Sequence, residues 1–201
     1  MTTTLLDKAA LRRQMRKARR ALPQAFARQA ARNLACGLAK LPVFRRAKRV
    51  AAYWPSDGEI DPTPLLLAAL RAGKQVYLPV LHGKTLRFSP LRLGAAITSN
   101  RLGIPEPLGS KRQRRCASHL DLVLTPLVAF DAQGGRLGMG GGFYDRALHH
   151  LARPRRWRRP HSIGLAYALQ QVDALSVEPW DVRLDGVHTE KRFYRAPALG
   201  V

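Results

Sequence analysis

The spacing of apolar residues along the chain changes between a helical and a strand-like period. Four apolar side chains recur at intervals of three and four residues near the start: Leu11, Met15, Ala18 and Leu22. Arginine and lysine fill the positions between them, which predicts an amphipathic helix that ends before Pro23. Further helices are predicted over residues 24–40, 64–71 and 143–151.

Short apolar runs bounded by glycine, proline and acidic residues predict β-strands. They cover residues 49–54, 75–80, 85–91, 120–130 and 162–166. Strands that alternate with helices predict an α/β fold with a largely parallel central sheet flanked by helices. Since neither an internal repeat nor a linker is visible, we expect one domain over residues 1–201, with the basic helices of residues 1–40 packed on the α/β core.

Composition excludes several classes of protein. The 201 residues are 46% hydrophobic and 24% charged, close to a soluble globular average. No run approaches the roughly 20 apolar residues that span a bilayer, so we expect no membrane partner. The charged opening segment is unlike a signal peptide, and Cys36 and Cys116 form neither a zinc nor a disulfide pattern. We therefore expect a cytoplasmic protein.

The charge is strongly basic and unevenly distributed. Lysine and arginine number 35 against 13 acidic residues, for a formal charge of +22, and residues 1–49 alone carry +13. Such a surface can bind a polyanion and is compatible with a nucleic-acid partner, most of all at the segment RPRRWRRP over residues 153–160. The alternative for this segment is a solvated loop. The preference for arginine over lysine in the whole chain, 27 against 8, has the alternative that it reflects only the base composition of the genome.

Six of the nine residues from Gly134 to Gly142 are glycine, between a predicted strand and a predicted helix. A loop of this kind lets backbone amides approach a phosphate closely, and Arg136 adds a cation with a phosphate-matching fork. Asp145 could hold Mg²⁺ against phosphate oxygens. The spacing matches neither a dinucleotide-binding fingerprint nor a Walker A loop, and a tight mobile turn without a ligand remains the alternative.

A second loop, PSDGEID over residues 55–61, carries three acidic side chains. It follows a predicted strand, so it and the glycine loop should meet at the carboxyl edge of the sheet, where such folds bind ligands. Glu59 is the candidate site residue. The alternative is that Asp57, Glu59 and Asp61 are only turn and helix-cap residues.

These segments resemble the 5-formyltetrahydrofolate cyclo-ligase family, also called 5,10-methenyltetrahydrofolate synthetases. The resemblance is carried by RLGMGGGFYDR over residues 136–146, KAALR over 8–12, WPSDGEI over 54–60 and EPWDVRLDGV over 178–187. The order and spacing of the four segments agree with the family. The resemblance implies a fold like that of sugar-phosphate isomerases and CoA transferases.

The resemblance also implies a reaction and a site. The reaction converts 5-formyltetrahydrofolate and ATP to 5,10-methenyltetrahydrofolate, ADP and phosphate, with Mg²⁺. ATP would contact Lys8, Ala9, Ala10, Leu11, Arg12, Arg136, Leu137, Gly138, Met139, Gly140, Gly141, Gly142, Phe143 and Tyr144. The folate would contact Trp54, Glu59, Met139, Gly140, Gly141, Gly142 and Phe143, and Mg²⁺ would be held by Asp145 and Asp181.

We expect Glu59 and Arg136 to be the catalytic residues. Arg136 would neutralise phosphate charge, and Glu59 would orient the pterin or accept a proton from N10. Phe143 departs from the tyrosine of many relatives, and Met139 stands at a variable position. We expect a monomer whose basic rim could attract a polyglutamylated folate. A fold-level alternative keeps the architecture but takes a sugar phosphate or a CoA thioester as substrate.

Overall fold

The computed structural model describes residues 7–92, 94–109, 111–152, 160–176 and 178–197. Its α-helices are α1 (Lys8–Arg20), α2 (Gln24–Lys40), α3 (Pro42–Arg46), α4 (Thr63–Arg71) and α5 (Phe143–Leu148). Its strands are β1 (Arg49–Ala51), β2 (Gln75–His82), β3 (Thr85–Pro90), β4 (Ile97–Ser99), β5 (Pro105–Pro107), β6 (Leu122–Pro126), β7 (Ala129–Phe130), β8 (Arg136–Leu137), β9 (His161–Leu165), β10 (Gly186–His188) and β11 (Phe193–Arg195). None of these helices is both long and apolar enough to cross a bilayer.

Within the described chain, a seven-stranded sheet has the order β11-β10-β9-β6-β1-β2-β3. The five inner strands run parallel, with Val50 opposite Leu122 and Leu124 opposite Ile163. The edge strands β3 and β11 are antiparallel to their neighbours. The expected α/β fold with a largely parallel sheet is confirmed.

Helix α2 agrees with its predicted bounds, and Leu34 and Leu38 are fully buried in the main core with Val50 of β1. Helix α1 differs in the face that it buries. Leu11 is buried and Met15 is half-buried, but Ala18 is exposed and the neighbouring Arg19 is buried instead. The prediction for Ala18 was wrong because it assumed that a buried face is apolar, whereas Arg19 finds polar partners inside the protein.

Two predicted strands are shorter than their apolar runs. The run over residues 49–54 leaves the sheet after Ala51, although Ala52 and Tyr53 stay buried. The run over residues 120–130 breaks at Pro126, whose nitrogen has no hydrogen to donate to a ladder. In both runs most of the apolar residues beyond the end of the strand are buried in the core without belonging to that strand of the sheet.

Several elements were not predicted. Strands β4 and β5 form a hairpin over residues 97–107, and β7 and β8 form another that includes part of the glycine loop. Helix α5 ends at Leu148 and continues as a 3₁₀ turn, His149–Ala152, close to the predicted end of the helix. The arginines of residues 153–159 lie outside the described residues.

Candidate active site

A cleft of about 1220 Å³ lies at the carboxyl edge of the sheet, where the chain leaves β1 and β6. Its walls come from the start of α1, the loop after β1, the hairpin β4–β5, the glycine loop and the segment before β10. The lining residues include Lys8, Arg12, Trp54, Glu59, Leu102, Arg136, Gly138, Met139, Gly140, Gly141, Gly142, Phe143, Tyr144, Asp145, Trp180 and Asp181. The segments predicted to meet at this edge therefore do so.

The side chain of Glu59 is 8% exposed in this cleft. Its Oε2 accepts hydrogen bonds from the backbone nitrogen of Ser56 at 3.1 Å and from the Ser56 hydroxyl at 3.4 Å. Burial raises the pKa of Glu59 to about 7, against the opposing effect of the Ser56 hydrogen bond and the Arg19 charge. A carboxyl group that titrates near neutral pH is suited to accept a proton.

The first turns of α1 bring two basic side chains to the cleft. Lys8 Nζ lies 3.1 Å from Oε1 of Glu178, and Arg12 Nε donates to the carbonyl oxygen of Gly138 at 2.8 Å. The three residues between them do not line the cleft: Ala9 is exposed, Ala10 is half-buried, and Leu11 packs in a core cluster with Ala129 and Leu137.

The glycine loop has two structurally different halves. Gly134 and Gly135 lie in the turn between β7 and β8, where an added Cβ would be 2.5 Å from the Leu184 carbonyl oxygen or from Oδ2 of Asp131. They are needed for packing, and the ligand contacts predicted from the sequence begin only after them, at Arg136. A Cβ on Gly138 would meet no atom within 4 Å, so space for a ligand exists there.

Two polar groups in the cleft wall are buried and unsatisfied. Arg136 donates from Nη2 to Oδ1 of Asp145, but its Nη1 has no hydrogen-bond partner among the described residues. The same is true of the hydroxyl group of Tyr144, whose ring lies 5.7 Å from the Arg136 guanidinium carbon. Burial keeps the pKa of Tyr144 well above its ordinary value. Buried polar groups without partners are uncommon in proteins, and these two lie where a bound ligand could pair with them.

Asp145 and Asp181 both line the cleft, as expected for metal ligands. Arg136 occupies Oδ1 of Asp145, and the backbone nitrogen of Glu178 occupies Oδ2 of Asp181, so each carboxylate keeps one oxygen clear of these bonds. Among the described residues, no group of three or more His, Cys, Asp or Glu side chains could hold a metal. Two carboxylate oxygens fit Mg²⁺ when phosphate and water supply the other ligands.

Part of the cleft was not predicted from the sequence. Leu102 and Ile104 of the β4–β5 hairpin line it, as does Trp180, whose side chain is 70% exposed. Arg19 and Asp57 lie behind Glu59. Trp180, an aromatic residue beside Asp181, and Asp57, one of three acidic residues in its loop, carried a signal in the sequence; the hairpin lies in a segment for which no element was predicted.

Known proteins similar to this chain identify its family. The model of the 5-formyltetrahydrofolate cyclo-ligase family matches residues 5–190. The 5-formyltetrahydrofolate cyclo-ligase of Escherichia coli is 39% identical over 185 residues, which cover 90% of this chain and 98% of the relative. That of Haemophilus influenzae is 40% identical over 182 residues, covering 87% of this chain and 92% of the relative.

A solved structure is similar as well. The NMR structure of the Aquifex aeolicus 5,10-methenyltetrahydrofolate synthetase superposes with a TM-score of 0.80 at 31% sequence identity, and the match covers 96% of both chains. The predicted family is confirmed by matches that run over nearly the whole chain. On this evidence, the chain belongs to the 5-formyltetrahydrofolate cyclo-ligase family.

Proposed function

We propose that this protein converts 5-formyltetrahydrofolate and ATP to 5,10-methenyltetrahydrofolate, ADP and phosphate. The observation that carries the proposal is one cleft that contains both the buried carboxyl group of Glu59 and the cations beside the glycine loop. Its volume of about 1220 Å³ exceeds the roughly 300–1000 Å³ usual for one small ligand. Family membership supports ATP and a folate as the two ligands.

The chemistry requires activation of the formyl oxygen, because a formamide is a poor electrophile and its oxygen is a poor leaving group. The formyl oxygen attacks the γ-phosphorus of ATP, which breaks the bond to the bridging oxygen and releases ADP. N10 then attacks the carbon of the resulting imidate phosphate. The carbon–oxygen bond breaks, phosphate leaves with that oxygen, and N10 loses its proton.

The chain's cations serve the first step. Lys8, Arg12 and Arg136 neutralise the phosphates, and Gly138 leaves room for close approach of the backbone. Phosphoryl transfer depends mainly on such alignment and charge neutralisation. The unpaired Nη1 of Arg136 and the Tyr144 hydroxyl are donors ready for ligand oxygens.

Glu59 serves the second step. With a pKa of about 7 its carboxyl group exchanges a proton readily at neutral pH, so it accepts the N10 proton or orients the pterin. Trp54 and Met139 line the same cleft and offer apolar contact to the folate rings. Phe143 lies beside Arg146, with the guanidinium carbon 5.4 Å from the ring centre.

Mg²⁺ would supply a Lewis acid that withdraws charge from the transferred phosphoryl group. Asp145 and Asp181 would hold it through their remaining oxygens. The pair with Arg136 fixes the Asp145 side chain in the cleft wall, so this carboxylate is already in place for a cation.

A near-ultraviolet absorbance time course tests the proposed function, since the methenyl product absorbs where the substrate does not. We expect signal only when 5-formyltetrahydrofolate, Mg²⁺ and ATP are all present, and a strong reduction in Glu59→Gln. Near-full turnover in that variant would remove Glu59 from the chemistry. No signal from folded wild-type protein would overturn the proposal, and a nucleic-acid titration at several salt concentrations would then test the basic surface.

We further propose that the protein acts as a single-domain monomer in the cytoplasm. Burial of Leu11 and Leu34 from α1 and α2 in cores shared with strand residues supports one domain. Both cysteines are free, as in a reducing compartment. The basic surface would attract a polyglutamylated folate. Light scattering during gel filtration tests the oligomeric state.

A further inference from the structure

Arg19 is a buried cation behind the candidate site. Its side chain is fully buried, although it belongs to α1, whose other faces carry exposed arginine and lysine. A charge at such a position is costly unless it is paired and hydrogen-bonded. The partners of Arg19 therefore indicate why the chain keeps it there.

Those partners belong to the loops that form the cleft. Arg19 donates from Nε to the Asp57 carbonyl oxygen at 2.8 Å and from Nη2 to Oδ2 of Asp57 at 2.8 Å. Its Nη1 donates to the Leu127 carbonyl oxygen at 3.1 Å. One side chain thus joins α1 to the loop after β1 and to the segment after β6.

Asp57 is arranged to receive this pair. Its φ of +52° lies in the left-handed region, which is uncommon for a residue other than glycine. Arg16 and Arg20 each pair with it at 2.7 Å as well. Burial alone would raise the pKa of Asp57, but hydrogen bonds from Arg16 and Arg19 lower it, so its carboxylate stays charged.

Glu59 lies next to this pair. Its Oε1 is 3.9 Å from Nη2 of Arg19, close enough for a strong charge interaction but too far for a hydrogen bond. Ser56 binds only Oε2, so Oε1 is left for the cleft. Arg19 therefore acts on the carboxyl group through its charge without occupying the oxygen.

Among the described residues, four charged or titratable groups interact with Glu59 from the surrounding elements. Arg19 of α1 lowers the Glu59 pKa, and Asp57 of the same loop raises it. The phenols of Tyr53 and of Tyr144 on α5 are neutral, because burial raises the pKa of both above 10. Arg19 and Asp57 are thus the facing groups that carry charge at neutral pH.

We propose that Arg19 is a positioning residue for Glu59: it ties the loop of residues 54–59 to α1 and stabilises the ionised form of the Glu59 carboxyl group. Asp57 is the counter-charge that limits this effect. The inference rests on the proposed role of Glu59 as a proton acceptor, which only the ionised carboxylate can perform. Arg19 thereby gains a function on the buried face of α1, where an apolar residue was expected.

The test is the pH profile of kcat/KM for 5-formyltetrahydrofolate at saturating ATP and Mg²⁺. Removing a positive charge within about 4–6 Å of a carboxyl group raises its pKa by about 1–3 units. We therefore expect the acidic limb of Arg19→Gln to move up by about one unit or more, with at least a tenfold loss at a pH below both limbs. Arg19→Lys keeps the charge, so its limb should return toward that of the wild type.

Two further variants test the direction of the shift and provide a control. Asp57→Asn removes a negative charge and should move the limb down, a direction opposite to that of Arg19→Gln. Arg13→Gln removes the same positive charge from the exposed face of α1 and should leave the limb in place. General loss of structure would not move two limbs in opposite directions. If Arg19→Gln does not fold, the shift in Asp57→Asn decides.

An unmoved limb in folded Arg19→Gln, or a shift in Asp57→Asn that is absent or upward, would overturn the inference. Failure of the proposed function looks different, because the wild type then forms no methenyl product. Glu59 titration is still measurable in that case by carboxyl ¹³C NMR, with Glu59→Gln identifying the signal. A Glu59 pKa that does not rise in Arg19→Gln would overturn the inference without any turnover.

Discussion

Arg136 donates from Nη2 to Oδ1 of Asp145 at 2.5 Å, and this ion pair lies in the wall of the cleft. The arginine side chain is only 4% exposed, whereas the aspartate is 28% exposed. Both side chains line the cleft, and the carboxylate is the more accessible of the two. The pair orients a phosphate-binding group and a candidate metal ligand at the same time.

Asp145→Asn should lower kcat/KM by about 100-fold or more, the usual cost of removing one preorganised electrostatic group. The Mg²⁺ concentration that gives half the maximal rate should rise, because the amide oxygen is a weaker ligand for a hard cation. Steady-state kinetics across a magnesium series measure both effects.

Asp121→Asn provides the matched control. Asp121 pairs with Arg49 at 2.9 Å, at the amino end of β1 and away from the cleft residues. This variant should keep the magnesium dependence of the wild type. An unchanged magnesium series for Asp145→Asn would contradict the assignment of Asp145 as a metal ligand.

Glu59→Gln should make the protein more stable at pH 8 than the wild type. Burial raises the pKa of Glu59 from 4.5 to about 7, so the folded protein keeps a proton that the unfolded chain releases. Wild-type stability therefore falls as the pH rises from 4.5 to 7, relative to the variant. The change amounts to about 3 kcal/mol at most.

Urea unfolding of both proteins at pH 5 and pH 8 measures this difference. The stability advantage of Glu59→Gln should be small at pH 5 and largest at pH 8. An advantage that does not depend on pH would show that Glu59 titrates as an ordinary exposed glutamate. The stabilising variant should also be the less active one, as is common for groups kept for function.

Tyr144→Phe should stabilise the protein by about 1 kcal/mol, because it removes a buried hydroxyl group without a partner among the described residues. It should also reduce kcat, since a donor for ligand oxygens is lost. Tyr53→Phe is the counterpart, because the Tyr53 hydroxyl donates to the Ile60 carbonyl oxygen at 2.7 Å. That variant should lose about 1 kcal/mol. A stability loss in Tyr144→Phe would show that its hydroxyl is satisfied in the free protein.

Gly138→Ala should fold normally, because a Cβ there meets nothing within 4 Å. Its KM for ATP should rise about tenfold or more if the methyl group displaces a charge-assisted hydrogen bond worth about 1.5–3 kcal/mol. Gly134→Ala should instead unfold at lower temperature, because its φ is +82° and its Cβ would lie 2.5 Å from the Leu184 carbonyl oxygen. Thermal melts and ATP titrations separate the two effects. Wild-type ATP affinity in Gly138→Ala would argue against phosphate at this position.

Local pattern was sufficient for much of the fold. Helix α2 agrees with its predicted bounds, and α5 and the parallel strands β1, β2, β6 and β9 follow from apolar spacing that a helix or a buried strand requires, whereas the parallel strand β10 was not predicted. The glycine-rich run and the loop around Glu59 were identified as candidate site segments because glycine and acidic residues contribute little to a hydrophobic core. Both signals depend only on residues close together in the chain.

The sequence by itself therefore determined the α/β class, the family and, apart from the hairpin β4–β5, the segments that line the cleft. Only the tertiary structure decided that Arg19 is buried while Ala18 is exposed, and that the hairpin β4–β5 covers one side of the cleft. It also divided the glycine loop into packing and open positions. The physical reason is the distance along the chain over which each feature is determined. The spacing of apolar residues indicates locally which face of an element is buried. A buried charge such as Arg19 or a closely packed glycine such as Gly134 depends on partners that are distant in the chain, here Asp57 and Leu184.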